Sequence, residues 1–236
     1  MVVVSDGDRT TATAVLERVR TMLETALASE RSVGVVAVRA QRRSVGVSFP
    51  HVKITVDVVP ALAQPNGGYL IADREMDAWI HTDPVAAFKA VTAANKASGG
   101  HLVPLIKVAK AWNLKVAKAE NKTDERGDLI KPFKSFHLEV LCYDFKFPEP
   151  YNLREGVKGL FLHLSANWKN ELCPPGGGGS LRAYLHKSGA DKHPHNLADL
   201  LANAARLATD ACSCEEGNPA QAHTKWGKLL GTVYVH

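Results

Sequence analysis

The chain has 236 residues, of which 45% are hydrophobic and 22% charged, and a net charge of +5. That composition supports a buried core, as one large domain or two small ones, and excludes wholesale disorder. The modest basic excess suits a partner that carries phosphates, whether nucleotide or nucleic acid.

Met1 to Val4 reads as a strand, and Asp6-Gly7-Asp8 as a turn that runs into a helix from Thr13 to Ala28. In that helix Val15, Leu16, Val19, Met22, Leu23 and Leu27 fall at helical spacing. Strands follow at Val33 to Arg39, apolar on both faces and so expected to be central, and at Ser44 to Phe49. Over positions 52 to 59, Val52, Ile54, Val56 and Val58 alternate with Lys53, Thr55, Asp57 and Val59. Pro60 cannot donate to a ladder and is expected to end this strand. Residues 63 to 84 read as loop-rich, with a turn at Pro65-Asn66-Gly67-Gly68.

Asp83-Pro84 opens a helix that Gly99-Gly100 stops. A longer helix is predicted over Leu102 to Ala117, with Leu105, Ile106, Ala109, Trp112 and Val116 on one side and Lys107, Lys110 and Lys115 elsewhere. Another is predicted over Ser135 to Phe145. The segment 172 to 195 is irregular: Gly176 to Gly179 read as a flexible link, and His186, His193 and His195 as solvated loop residues. Helices at Leu197 to Cys212 and Ala220 to Leu230 close the chain. Strands precede helices, so an α+β or α/β fold is expected, with a sheet-bearing part over 1–98 and a helical part over 99–236.

The four cysteines, Cys142, Cys173, Cys212 and Cys214, show no C-x-x-C spacing, so reduced thiols are expected over a disulfide framework. No apolar run approaches the ~20 residues that span a bilayer. No basic segment leads an apolar one at the N-terminus either. No membrane partner and a cytoplasmic location are therefore expected.

Asp57 is the residue that most needs a chemical reason. It is a carboxylate on a hydrophobic strand, where an unpaired buried charge is expensive. Three readings stand on the strand alone: an exposed sheet face, a structural ion pair, or a divalent metal ligand in a cleft at the strand end, where hard oxygens suit Mg²⁺.

Six stretches resemble the superfamily of oligoadenylate synthase and cyclic GMP-AMP synthase, including its bacterial cyclic-oligonucleotide members. They are positions 52 to 61, the pair Gly68 to Asp73 and Trp79 to Pro84, the helix Leu105 to Asn113, Lys134-Ser135-Phe136-His137-Leu138-Glu139, and Trp226 to Gly231. The resemblance implies a polymerase-β-like nucleotidyltransferase with a mixed sheet and a helical C-terminal half. It implies an enzyme joining nucleoside triphosphates into a cyclic or short linear oligonucleotide, with Mg²⁺ or Mn²⁺ as cofactor. A nucleic acid or protein activator and a role in antiviral defence belong to the same implication.

Residue by residue, Asp57 matches the third metal-binding acid and Lys110 the helix lysine that reaches the donor triphosphate. Ser135 matches a phosphate-binding hydroxyl near a helix N-terminus, and Phe136 the aromatic that lies against the base. Lys107 is a neighbouring nucleotide-binding candidate. On the residues alone, Ser135 reads equally as an N-cap, Phe136 as core, and His137 and Glu139 as structural. The family pattern also opens with Gly-Ser and then Asp-x-Asp leading a strand, and no such segment precedes Val2-Val3-Val4. The expectation is a chain that starts after those acids, with 1–98 a remnant of the catalytic domain. A non-catalytic nucleotide or RNA binder, and an enzyme that adds nucleotides to RNA ends, are the rival readings.

Overall fold

A computed structural model describes residues 2–3, 11–28, 37–124, 127–181, 185 and 194–231. Asp6-Gly7-Asp8, the first part of the strand expected over 33–39, and His186 and His193 lie outside these residues. The chain divides into two compact units, Met1–Phe88 with Pro175–Gly179, and Lys89–Pro174 with Ser180–His236.

The first unit holds two sheets and a helix. Strands β2 (Ala37–Ala40), β3 (Val45–Phe49) and β4 (Ile54–Val58) form an antiparallel sheet in that order. β2 is therefore an edge strand in its described part, where sequence placed it centrally. The second sheet orders β1 (Val2–Val3), β5 (Pro60–Ala63), β6 (Tyr69–Asp73) and β7 (Ala78–Thr82), with β1 parallel to β5 and the rest antiparallel. Helix α1 (Ala12–Ala28) buries Ala12 and Leu16 against Val45 and Ala72, with Val38 and Trp79 packed beside them.

Pro60 divides two strands where a single ending was expected. β4 stops at Val58, and Pro60 begins β5 in the other sheet, at a first-residue position where a missing N–H is tolerated. The stretch from 63 to 84 contains a β6–β7 hairpin instead of a loop. Its turn, Arg74 to Asp77, lacks the Asn-Gly or Asp-Gly signature of tight hairpins. The Asp73 carboxylate closes it by accepting from the backbone N–H of Glu75 and Met76. The Pro65 to Gly68 turn forms as expected, between β5 and β6, with Gly67 and Gly68 at φ 93° and 73°.

The glycines at 176 and 177 also do more than link. Gly177 bridges Thr82 at the β7 edge, and Gly176 O accepts from Asp83 N at 2.6 Å. A Cβ at Gly176 would lie 2.2 Å from Asp83 O, so only glycine fits this approach.

Helix α2 (Pro84–Ala97) begins at Asp83, whose carboxylate accepts from Ala86 N at 2.9 Å. In the second unit, α3 (Leu102–Glu120) buries the face expected of it: Leu105, Ile106, Ala109, Trp112 and Val116. α4 (Ser135–Leu141) is a short helix that stops before Phe145. α5 (Leu153–Asn167), which the sequence reading missed, starts at the Asn152 cap and buries Val157, Leu160, Phe161 and Leu164. Its glycines admit aromatic neighbours: a Cβ at Gly159 would lie 3.1 Å from the Phe145 ring. α6 (Leu197–Cys214) and α7 (Pro219–Leu230) complete the core, with Trp226 Nε1 donating to Glu215 at 3.0 Å.

His195, expected in solvent, is buried. One ring nitrogen lies 2.7 Å from Glu120 Oε2 and the other 2.7 Å from Ile130 O. The hydrogen bonds from Lys122 and His195 hold the Glu120 carboxyl below its usual range against burial. An isolated histidine in a polar stretch carries no periodicity that would reveal such partners.

Candidate nucleotide-binding site

Asp57 projects from β4, paired in register with Gly46 of β3. Its carboxylate is exposed, and Oδ1 accepts from Gln41 Nε2 at 3.0 Å. A Cβ at Gly46 would lie 2.3 Å from that Gln41 nitrogen, so the glycine makes room for the glutamine to cross β3. Among the described residues Asp57 makes no ion pair, and its environment is that of an exposed sheet face. Mg²⁺ asks for several hard oxygen ligands. Among the described residues no group of three acidic, histidine or cysteine side chains stands together. Among the described residues, Asp57 therefore belongs to no three-ligand cluster of the kind that would hold the ion.

The second unit assembles the remaining candidates on α3 and α4. Asn113, buried in α3, clasps the backbone of Phe133. Its amide donates to Phe133 O at 2.8 Å and its oxygen accepts from Phe133 N at 3.0 Å. That bond pair fixes the segment leading into α4 against α3. Lys134 holds the cap position and Ser135 is the first helical residue, so Ser135 is not the N-cap. Its hydroxyl side is exposed, and so is Phe136, which is not a core residue.

Lys110 lies one turn beyond Lys107 on α3. Lys107 is exposed, and Lys110 is half-buried. Lys110 Nζ donates to Glu139 Oε2 at 2.5 Å, and Tyr143 Oη donates to Glu139 Oε1 at 3.2 Å. Burial and the nearby Glu139 charge raise the Tyr143 hydroxyl well above its usual value, so it stays a donor. Glu139, read from sequence as structural, and Tyr143 and Asn113, to which sequence assigned no role, thus shape the surroundings of Lys110, Ser135 and Phe136. An acidic residue four positions after Ser135 on a predicted helix was the available signal.

His137 is buried against Phe133, with ring centroids 5.7 Å apart, and among the described residues both ring nitrogens lack a partner. Burial brings its pKa down to about 4, so the ring is neutral near pH 7. The structural role expected of it fits this packing.

Comparison with known proteins adds independent findings. Residues 1–95 match the family model of the Second Messenger Oligonucleotide or Dinucleotide Synthetase domain. A curated cyclic AMP-AMP-AMP synthase from Acinetobacter is 34% identical over 111 residues. That match takes in 47% of this chain and 29% of the relative, so the chain spans less than a third of the curated protein it matches. Among solved structures, E. coli CdnC in complex with HORMA aligns at a TM-score of 0.63 and 18% identity, covering 99% of this chain and 75% of that one. E. coli DncV in its 3'-deoxy GTP bound form aligns at 0.69 and 17%, covering 94% and 58%. At that identity the structures establish the fold, which is the nucleotidyltransferase fold expected from the motifs. Residues 1–95 thus resemble the second messenger oligonucleotide or dinucleotide synthetase domain, and the chain shares its fold with E. coli CdnC and DncV.

Proposed function

We propose that the protein is a template-independent nucleotidyltransferase that joins nucleoside triphosphates into a cyclic or short linear oligonucleotide and releases pyrophosphate. The family match over residues 1–95 carries this reading. The similar E. coli and Vibrio cholerae proteins were solved with ATP and GTP, which supports triphosphates as substrates. In this reading Lys110 contacts the donor triphosphate as a compact, mobile charge. Ser135 donates to a phosphate oxygen, Phe136 stacks on the base, and Lys107 adds positive potential nearby. Mg²⁺ or Mn²⁺ is the cofactor, with Asp57 one of its ligands. Residues 1–98 form the part bearing that carboxylate and 99–236 the helical part.

A protein activator belongs to the same proposal, supported by the CdnC:HORMA complex among the similar structures. So do a role in antiviral defence and a cytoplasmic site of action. Among the described residues, no helix is long and apolar enough to cross a membrane.

The test is incubation with each radiolabelled triphosphate and Mg²⁺, followed by phosphatase treatment and chromatography. Phosphatase-resistant products are expected, and Asp57→Asn should abolish them. Full product formation by that variant would remove Asp57 from the site. A second reading, a nucleotide binder without catalysis, is favoured by one observation: among the described residues, no group of three acidic, histidine or cysteine side chains that could hold a metal ion is found. It predicts ATP-dependent thermal stabilisation with and without Mg²⁺, and no pyrophosphate.

A further inference from the structure

The ammonium of Lys110 has a protein partner that the proposed reaction does not require. Its Nζ donates to Glu139 Oε2, and Tyr143 holds the other carboxylate oxygen. The pair links α3 to α4 across 29 residues of sequence. It is half-buried, with the Lys110 and Glu139 side chains 37% and 22% exposed. Ion pairs this open contribute little to stability. The arrangement is nonetheless held from two sides: α4 is anchored through the Asn113 clasp on Phe133, and Glu139 is oriented by Tyr143.

Proton counting shows what this does. A carboxylate only accepts, and an ammonium carries three donors. Glu139 uses one of the three and fixes where the other two point, while its charge lowers the local pull on any further anion. We propose that Glu139, oriented by Tyr143, is a positioning residue for Lys110 and the resident counter-ion with which a nucleoside triphosphate competes for that lysine. This rests on the reading of Lys110 as a triphosphate ligand. The consequence is a filter by charge: a ligand must bring enough negative charge to share or take the ammonium.

Glu139→Gln separates position from charge, because the amide oxygen still accepts from Lys110 while the negative charge is gone. Affinity for ATP should rise roughly five-fold, the size expected for one half-exposed charge near another. Affinity for adenosine, which has no phosphate, should not change, and a merely structural role would not produce that split. The gain should also shrink as salt screens it.

The experiment is calorimetric titration of wild type, Glu139→Gln, Glu139→Asp and Lys110→Ala with ATP and with adenosine. Glu139→Asp withdraws the carboxylate but keeps its charge and should fall between wild type and Gln. It carries the test if the Gln variant does not fold. Lys110→Ala should weaken ATP alone. Unchanged or weaker ATP binding by the Glu139 variants, with Lys110→Ala still weakening it, overturns the role of Glu139 and leaves Lys110 as a phosphate ligand. ATP binding that is indifferent to Lys110→Ala, or absent from wild type, overturns the reading of Lys110 and the inference with it.

Discussion

Replacing Asp73 by Asn should break the first unit at its hinge of charge. The Asp73 side chain is fully buried at the end of β6. It accepts from Arg42 Nε at 2.9 Å and Arg43 Nε at 2.8 Å, and from the N–H groups of Glu75 and Met76 at 3.1 and 3.3 Å. Those bonds tie the β6–β7 turn of one sheet to the β2–β3 connection of the other. Removing one partner of a buried pair typically costs about 3 to 5 kcal/mol. Arg42 and Arg43 keep side-chain exposures of 33% and 26%, so they regain water when the charge goes. The lower end of the range, about 3 kcal/mol, is therefore expected.

Burial would raise the Asp73 carboxyl, but hydrogen bonds and charge from Arg43 and Arg42 hold it below its ordinary value. A carboxyl lowered by folding adds stability above its unfolded pKa and loses it as pH falls through the folded value. Wild type should thus lose this contribution on acidification below about pH 4, and the variant should not. Urea titration read by hydrogen exchange should locate the loss in peptides over 37–49 and 69–82, and spare 197–230. A loss under about 1 kcal/mol, or one spread evenly over both regions, would refute the assignment of this network as the tie between the sheets.

Three further outcomes are expected. His137→Leu removes two unpartnered buried nitrogens and should stabilise the protein by about 1 kcal/mol at pH 7, measured by thermal melting. The wild-type ring is held near a pKa of about 4 against 6.5 when free, so the unfolded state binds more protons between those values. Wild type should lose up to about 3 kcal/mol relative to the Leu variant as pH falls from 6.5 to 4; parallel stability curves would show the ring is not buried neutral. Leu160→Ala, at a fully buried position of α5, should cost about 3 kcal/mol by cavity formation in chemical denaturation, whereas a cost below about 1 would mean the core reseals. Gly176→Ala places a methyl against Asp83 O at φ 86° and should destabilise by more than about 1 kcal/mol, with faster exchange of the Asp83 amide.

Elements with strong internal periodicity were legible from sequence. The face of α3, the span of α1 and the strand around Asp57 follow from 3.6- and 2-residue spacing alone. The failures share a cause, which is closure by groups distant in sequence. The β6–β7 turn is built by Asp73 and buttressed by Arg42 and Arg43, thirty-odd residues away, so its own four residues carry no turn signature. The glycines at 176 and 177 look like a tether until Asp83 and Thr82 are seen against them. α5 was missed although Val157, Leu160, Phe161 and Leu164 have helical spacing, because two glycines dilute its propensity, and their reason, the Tyr151 and Phe145 rings, lies outside the helix.

The same distinction divides the candidate site. A lysine on a helix is ordinarily solvated, and only the run of residues around Lys110 singled it out. Its counter-ion belongs to another element: Glu139 sits on α4, and nothing in the spacing of either helix states that the two meet. Their meeting depends on Asn113, which is invisible as chemistry because both ends of its amide are engaged by one backbone residue. An amide in the middle of an apolar helix face costs free energy unless both its ends are satisfied. Its presence there among Leu105, Ile106, Ala109 and Trp112 is therefore itself a statement that a chain segment docks at that point. Read that way, Asn113 is the sequence-level marker of where α4 must lie, and so of which carboxylate Lys110 would find.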